Sequence, residues 1–173
     1  MSRDTFLRLL VRAWLATALV DGLFASALSK FGYHSTVTRL WQGVASTVLG
    51  PAALEGGMRT ALVGVVMHVG VALAWSTVFL ALVSALPALR RLLASPAGVL
   101  AVAVVYGPFI WVVMSTLVIP TLTGRPPRFG GRWWIQLAGH VVFVALPMVT
   151  VVARGLRGRS GEPAAAPRAE SVA

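Results

Sequence analysis

The apolar positions of this chain run on almost unbroken over long stretches rather than in short alternating groups. Residues 60–86 contain no ionisable side chain except His68, residues 97–119 contain none, and residues 135–153 contain only His140. A shorter run, residues 13–29, carries Asp21. The hydrocarbon core of a bilayer is about 30 Å thick and a helix rises about 1.5 Å per residue, so a span needs about 20 mostly apolar residues. Lipid offers the backbone no hydrogen-bond partners, so each run is expected to be a helix. Membrane strands would instead be runs of about ten alternating residues. The pattern predicts an all-α, integral membrane four-helix bundle with spans at about 11–30, 60–86, 97–120 and 135–153.

Between the first two spans, residues 36–50 form an apolar stretch too short to cross. Ser35 is the expected N-cap and Gly50-Pro51 the expected stop, giving a short interfacial or re-entrant helix, or equally a plain loop helix lying on the bundle. From Gly155 onward the composition turns to Arg, Pro and small residues, and residues 155–173 read as a disordered basic tail on a single domain, 1–154. The first run has a second reading. Arg3, Arg8 and Arg12 precede it, and Ala25-Ser26-Ala27 is the kind of small-residue site that ends a signal peptide. Asp21 interrupts the apolar region and the run continues past an ordinary signal core, so a retained helix is expected.

Composition sharpens the class. Of 173 residues, 57% are hydrophobic and 12% charged, which an ordinary soluble globule could not bury. There is no cysteine, which excludes disulfides, thiolate metal sites and a thiol nucleophile. The net charge of +10 raises the question of nucleic acid, but the basic residues sit at the ends of the apolar runs. With four spans, nine fall on the side of the termini (Arg3, Arg8, Arg12, Arg90, Arg91, Arg154, Arg157, Arg159, Arg168) and six on the other (Lys30, Arg39, Arg59, Arg125, Arg128, Arg132). The positive-inside rule then places both termini in the cytoplasm, and anionic headgroups account for the charge without a nucleic-acid partner. Trp14 at one end, and Trp41, Phe129, Trp133 and Trp134 at the other, are expected as interfacial anchors.

Ionisable groups inside spans are costly and are functional candidates by default. Asp21, His68 and His140 lie on three different helices. Counting along each helix puts all three about 8–14 Å below the same face. The Gly64-x3-His68-x3-Ala72 spacing would let a neighbouring helix come close. Gln136 lies one turn from His140, and Glu55 lies above in the outer loop. Pro108 and Pro147 each remove a backbone donor and would free the carbonyls of Val104 and Phe143.

These groups admit several chemistries. One is a proton or ion path, another a small-ligand pocket. A divalent metal could take two histidines and a carboxylate. A haem could bind between His68 and His140, with Arg59 and Arg132 near its propionates. No cofactor is expected apart from that haem alternative. No nucleophile elbow, phosphate loop or zinc-protease motif is present, so an enzyme is not expected. The segments starting at His68 and His140 are alike and would run in the same direction, as in a parallel internal repeat.

One further pattern points to a family. Gly64-Val65-Val66-Met67-His68 is followed by Ala74-Trp75; Val118-Ile119-Pro120 leads into Thr121-Leu122-Thr123-Gly124-Arg125-Pro126-Pro127; then come Gly139-His140 and the arginines from Arg154 to Arg159. Over about residues 41–159 the chain resembles the YagU-like family of small, uncharacterised bacterial inner-membrane proteins. The resemblance implies a bacterial inner-membrane location and a link to acid resistance, and makes His68 and His140 the first positions to test. Two functions stay open: a polar cluster that handles protons, ions or a small ligand, or an accessory subunit whose small-residue stripes dock a partner helix or a second copy.

Overall fold

The computed structural model describes residues 1–160. Six helices follow one another: α1 (Arg3–Gly32), α2 (Val37–Leu49), α3 (Gly57–Ala85), α4 (Pro87–Leu92), α5 (Pro96–Thr123) and α6 (Gly131–Ser160). α1, α3, α5 and α6 are long and apolar enough to cross a membrane, and they form an all-α bundle. Among the described residues there is no strand.

α1 packs beside α3 and α6, and α5 beside α6 and α3. At the proximal end, which holds the N-terminus, Leu9 of α1 meets Gly155 of α6, and the Arg157 guanidinium donates to the Ala94 carbonyl before α5 at 3.4 Å. At the distal end Phe24 of α1 stacks on Phe143 of α6, with ring centroids 4.1 Å apart, and Phe24 also lies against Gly139. The two proximal contacts correct the expected tail. The last helix runs on to Ser160, because Gly155 is small enough to lie on Leu9 and the arginines of the final turns suit the negative end of the helix dipole. Residues 161–173 lie outside the described residues.

Close packing is concentrated in the proximal half. Leu9, Ala13, Phe79, Leu80, Val83, Leu93, Ala103, Met148, Val149 and Val152 are all buried in one cluster. The distal half is built differently, and three local features set its shape.

First, α2 lies along the bundle. It folds back against the distal half of α3 at Gly64, where an added Cβ would collide with the Trp41 carbonyl. The small-residue stripe expected to receive a neighbouring span is thus occupied by this short helix. Its N-cap is Thr36, one residue after the expected Ser35: the Thr36 hydroxyl accepts from the Arg39 amide at 3.0 Å. Gly50, at φ 76°, ends it as expected. Losing such a cap costs about 1 kcal/mol. Thr36→Ala is therefore expected to speed amide exchange in the first turn of α2 ahead of the spans; unchanged exchange there would show that the cap carries no weight.

Second, α5 and α6 cross at Gly107. An added Cβ there would lie 2.5 Å from the His140 carbonyl oxygen and 2.8 Å from the Val141 Cα, so only glycine lets the two backbones meet.

Third, the prolines widen turns. The segments Met114–Val118 and His140–Ala145 are π-helical, each just N-terminal to a proline, Pro120 and Pro147. A proline ring would clash with the carbonyl four residues earlier, and the wider turn relieves it. At Pro108, by contrast, the α-helix continues through. His140 is the first residue of its wide turn.

Candidate functional site

Between α1, α3, α5 and α6, and covered by α2, lies a chamber of about 280 Å³. Each helix lines it with one stripe at helical spacing: Thr17, Asp21 and Ala25 from α1; His68, Val71, Ala72 and Trp75 from α3; Gln136, His140, Val144 and Met148 from α6. α5 adds Ile110, Trp111, Met114 and Val118, and α2 adds Leu40, Trp41, Val44 and Thr47. The lining is mostly apolar with a few convergent polar groups, the usual make-up of a small-molecule site.

The polar floor comes from two of the candidates in direct opposition. His68 Nδ1 faces Asp21 Oδ2 at 3.8 Å. His68 Nε2 lies 3.0 Å from the Ala18 carbonyl oxygen. A carbonyl oxygen only accepts, so Nε2 carries a hydrogen and donates it. In a neutral His68, Nδ1 would then present a lone pair to the carboxylate. Two acceptors face one another favourably only if one proton resides on the pair or a water bridges it. The ring lies beside Gly22 of α1, where an added Cβ would be in ordinary van der Waals contact with His68 Nε2.

His140 completes the wall. Its Nδ1 donates to the Gln136 carbonyl at 2.8 Å, which fixes the ring and leaves Nε2 open to exchange. Its ring lies against the Trp111 indole, with centroids 4.9 Å apart, and His68 lies against Trp41 at 5.1 Å. Asp21 is within electrostatic reach of both imidazoles. Four of the five sequence candidates, Asp21, His68, His140 and Gln136, thus share one chamber. Glu55 does not join them: it is solvent-exposed on the distal surface and pairs with Arg39 at 3.7 Å.

Some of the site could not be assigned from composition. Trp41, expected as an interfacial anchor, lies over His68 because the Gly64 contact draws α2 inward. Phe129, Trp133 and Trp134 do gather at the distal end, with Phe129 and Trp133 rings 5.2 Å apart. Trp133 donates to Ser115 in the wide turn of α5 at 3.0 Å. The hydroxyl of Thr17 and the indole N–H of Trp111 are buried on the chamber wall with no hydrogen-bond partner among the described residues.

A second space adjoins the chamber at the distal end. This vestibule, about 580 Å³, shares Thr47, Trp111, Ile119 and Gln136 with the chamber wall. Its rim holds Tyr33, Ser115, Arg125, Arg128 and Arg132.

The metal and haem alternatives can be set against this geometry. Among the described residues, no three His, Asp or Glu side chains are gathered as a metal site would need. For bis-histidine ligation, His68 would have to offer Nδ1, which faces the Asp21 carboxylate. Comparison with family models, with curated proteins and with solved structures finds no match for this chain.

Proposed function

We propose that this is a multi-pass protein of a bacterial inner membrane, with cytoplasmic termini, that binds a small molecule in the chamber and handles a proton at the Asp21–His68 pair and His140. The observation that carries this reading is the convergence of those three groups, from three spans, on one mostly apolar chamber. Ionisable groups at this depth are expensive unless they serve a site. The resemblance to the YagU-like family points the same way on location, and a link to acid resistance would suit a proton-holding pair.

An accessory, partner-docking role has less behind it. Gly64, Gly107, Gly139 and Gly155, the close-approach positions that a docking subunit would offer, are filled from within the chain by Trp41, His140, Phe24 and Leu9.

The test is a thermal-unfolding screen of the purified protein in nanodiscs against small anions, cations and neutral compounds. A ligand at a hundredfold excess over its Kd stabilises by about 2.7 kcal/mol. At least one class should raise the Tm of the wild type. That rise should disappear when the chamber is filled by Ala72→Phe or, more mildly, by Ala25→Leu. Its size should vary with pH in the wild type and flatten in Asp21→Asn. If no compound of any charge class distinguishes the wild type from both filled variants, the chamber is not a binding site and the reading fails.

A further inference from the structure

Four side-chain polar atoms are buried without a hydrogen-bond partner among the described residues: Thr17 Oγ1, the Tyr33 hydroxyl, Ser76 Oγ and Trp111 Nε1. Three of the four line the chamber or its vestibule. A buried donor without a partner is costly and rare, and calls for a reason. Two of them, Tyr33 and Trp111, stand at the vestibule beside three guanidinium groups.

Their chemistry favours donation, although a Tyr hydroxyl can accept as well. An indole N–H can only donate, and a guanidinium carries five N–H donors and no acceptor. Arg132 is held in place by the Tyr33 ring, with its guanidinium carbon 4.3 Å from the ring centroid. Among the described residues, no carboxylate forms an ion pair with Arg125, Arg128 or Arg132: the acids that are paired, Glu55 and Asp21, are engaged by Arg39 and His68. The vestibule therefore offers donors and positive charge with no acidic partner. The chamber behind it offers apolar surface, with its one carboxylate on the wall facing His68.

Building on the binding function proposed above, we infer that the ligand is an organic anion with an apolar body. Its carboxylate or phosphate seats between Arg128 and Arg132, and a small turn of the Tyr33 and Trp111 rings brings their buried O–H and N–H onto it. Its apolar part reaches past Trp111 into the chamber. A cation is disfavoured because it would have to pass the arginines, which set the potential at the mouth. Guanidinium groups suit the planar, bidentate geometry of carboxylate and phosphate oxygens. The shared chemistry fits two sources, a soluble organic acid and the headgroup of an anionic lipid.

Calorimetric titration of the full-length protein in phosphatidylcholine nanodiscs tests this with three probes of one shape: benzoate, benzamide and benzyltrimethylammonium. Benzoate is expected to bind at least about tenfold more tightly than benzamide, as charge-assisted contacts to oriented donors require. Arg128→Gln/Arg132→Gln should remove about tenfold of the benzoate affinity and leave benzamide unchanged. Tyr33→Phe and Trp111→Phe keep the rings and delete one donor each, and each should cost benzoate about threefold to tenfold. Adding phosphatidylglycerol to the nanodiscs separates the sources: competition with benzoate marks a lipid headgroup as the anion, and undiminished binding marks a soluble acid. Benzoate binding no tighter than benzamide, or unmoved by the arginine and donor-deletion variants, overturns the anion assignment. If benzyltrimethylammonium or benzamide binds while benzoate does not, the chamber is still a ligand site and only its charge preference has been misassigned.

Discussion

Gly107→Val is expected to destabilise the protein by about 3 kcal/mol or more, at the top of the range for overpacking a tight contact. The cause is geometric. The added Cβ would lie 2.5 Å from the His140 carbonyl oxygen and 2.7 Å from its carbonyl carbon, and neither is a side chain that can rotate away. α5 and α6 would have to separate, and His140 would move with them. Gly70→Val is the matched control, since nothing lies within 4 Å of its added Cβ. It is also mid-helix and apolar, so it is expected to change stability by no more than about 0.5 kcal/mol. Reversible unfolding in mixed micelles measures both. Equal stability of the two variants would show that the α5–α6 crossing yields easily, and that glycine at 107 is not what positions His140.

The same contact shows which parts of the site the sequence discloses. Depth along a helix is fixed by a constant rise per residue, so counting from the span ends put Asp21, His68 and His140 at one level. Direction within a helix is fixed by its period, so Thr17 with Asp21, and Gln136 with His140, fall on shared faces. Which helices become neighbours is a different question. The stripe through Gly64 reads as a seat for another span, yet its occupant is α2, a segment too short to cross a membrane. The close contact at Gly64 is what turns residues 37–49 inward. Trp41, expected at the interface, therefore covers His68. The face formed by Leu40, Trp41, Val44 and Thr47 was available as a helical pattern and is the signal that could have found it.

Proline was legible in kind but not in outcome. A missing amide and a crowded carbonyl were expected at Pro108 and Pro147. The chain answers at Pro147 and also at Pro120 with wide turns, whereas Pro108 is carried within regular helix. The end of α6 depends on a tertiary contact as well, because a glycine and arginine-rich stretch stays helical once Gly155 has Leu9 to pack on. The orphaned donors at Tyr33 and Trp111 belong to the same group of properties. Whether a hydroxyl or indole has a partner is decided by neighbours distant in the chain, and no local pattern records it.

His68→Ala is expected to be the most damaging change at the Asp21–His68 polar pair, costing about 3 kcal/mol, the upper end for leaving buried polar groups unsatisfied. Two losses combine. The Ala18 carbonyl loses the donor it holds at 3.0 Å, and the Asp21 carboxyl keeps its place facing an apolar chamber with no imidazole opposite. Asp21→Asn should cost less, about 1 kcal/mol, since an amide can donate to His68 Nδ1 where a carboxylate must share a proton. The decisive quantity is the coupling. If two groups 3.8 Å apart share one proton they are not independent, so the double variant should cost less than the sum of the singles by about 1–2 kcal/mol. Replacing both by leucine should return much of the stability, as apolar substitutes for buried pairs often do. That variant should still lose the pH dependence of ligand stabilisation. Recovery of stability without recovery of pH response would separate what the pair does for the fold from what it does for the site. Additive single-variant costs, with no coupling, would mean that Asp21 and His68 share no proton, and the chamber would then be a binding pocket without a proton store.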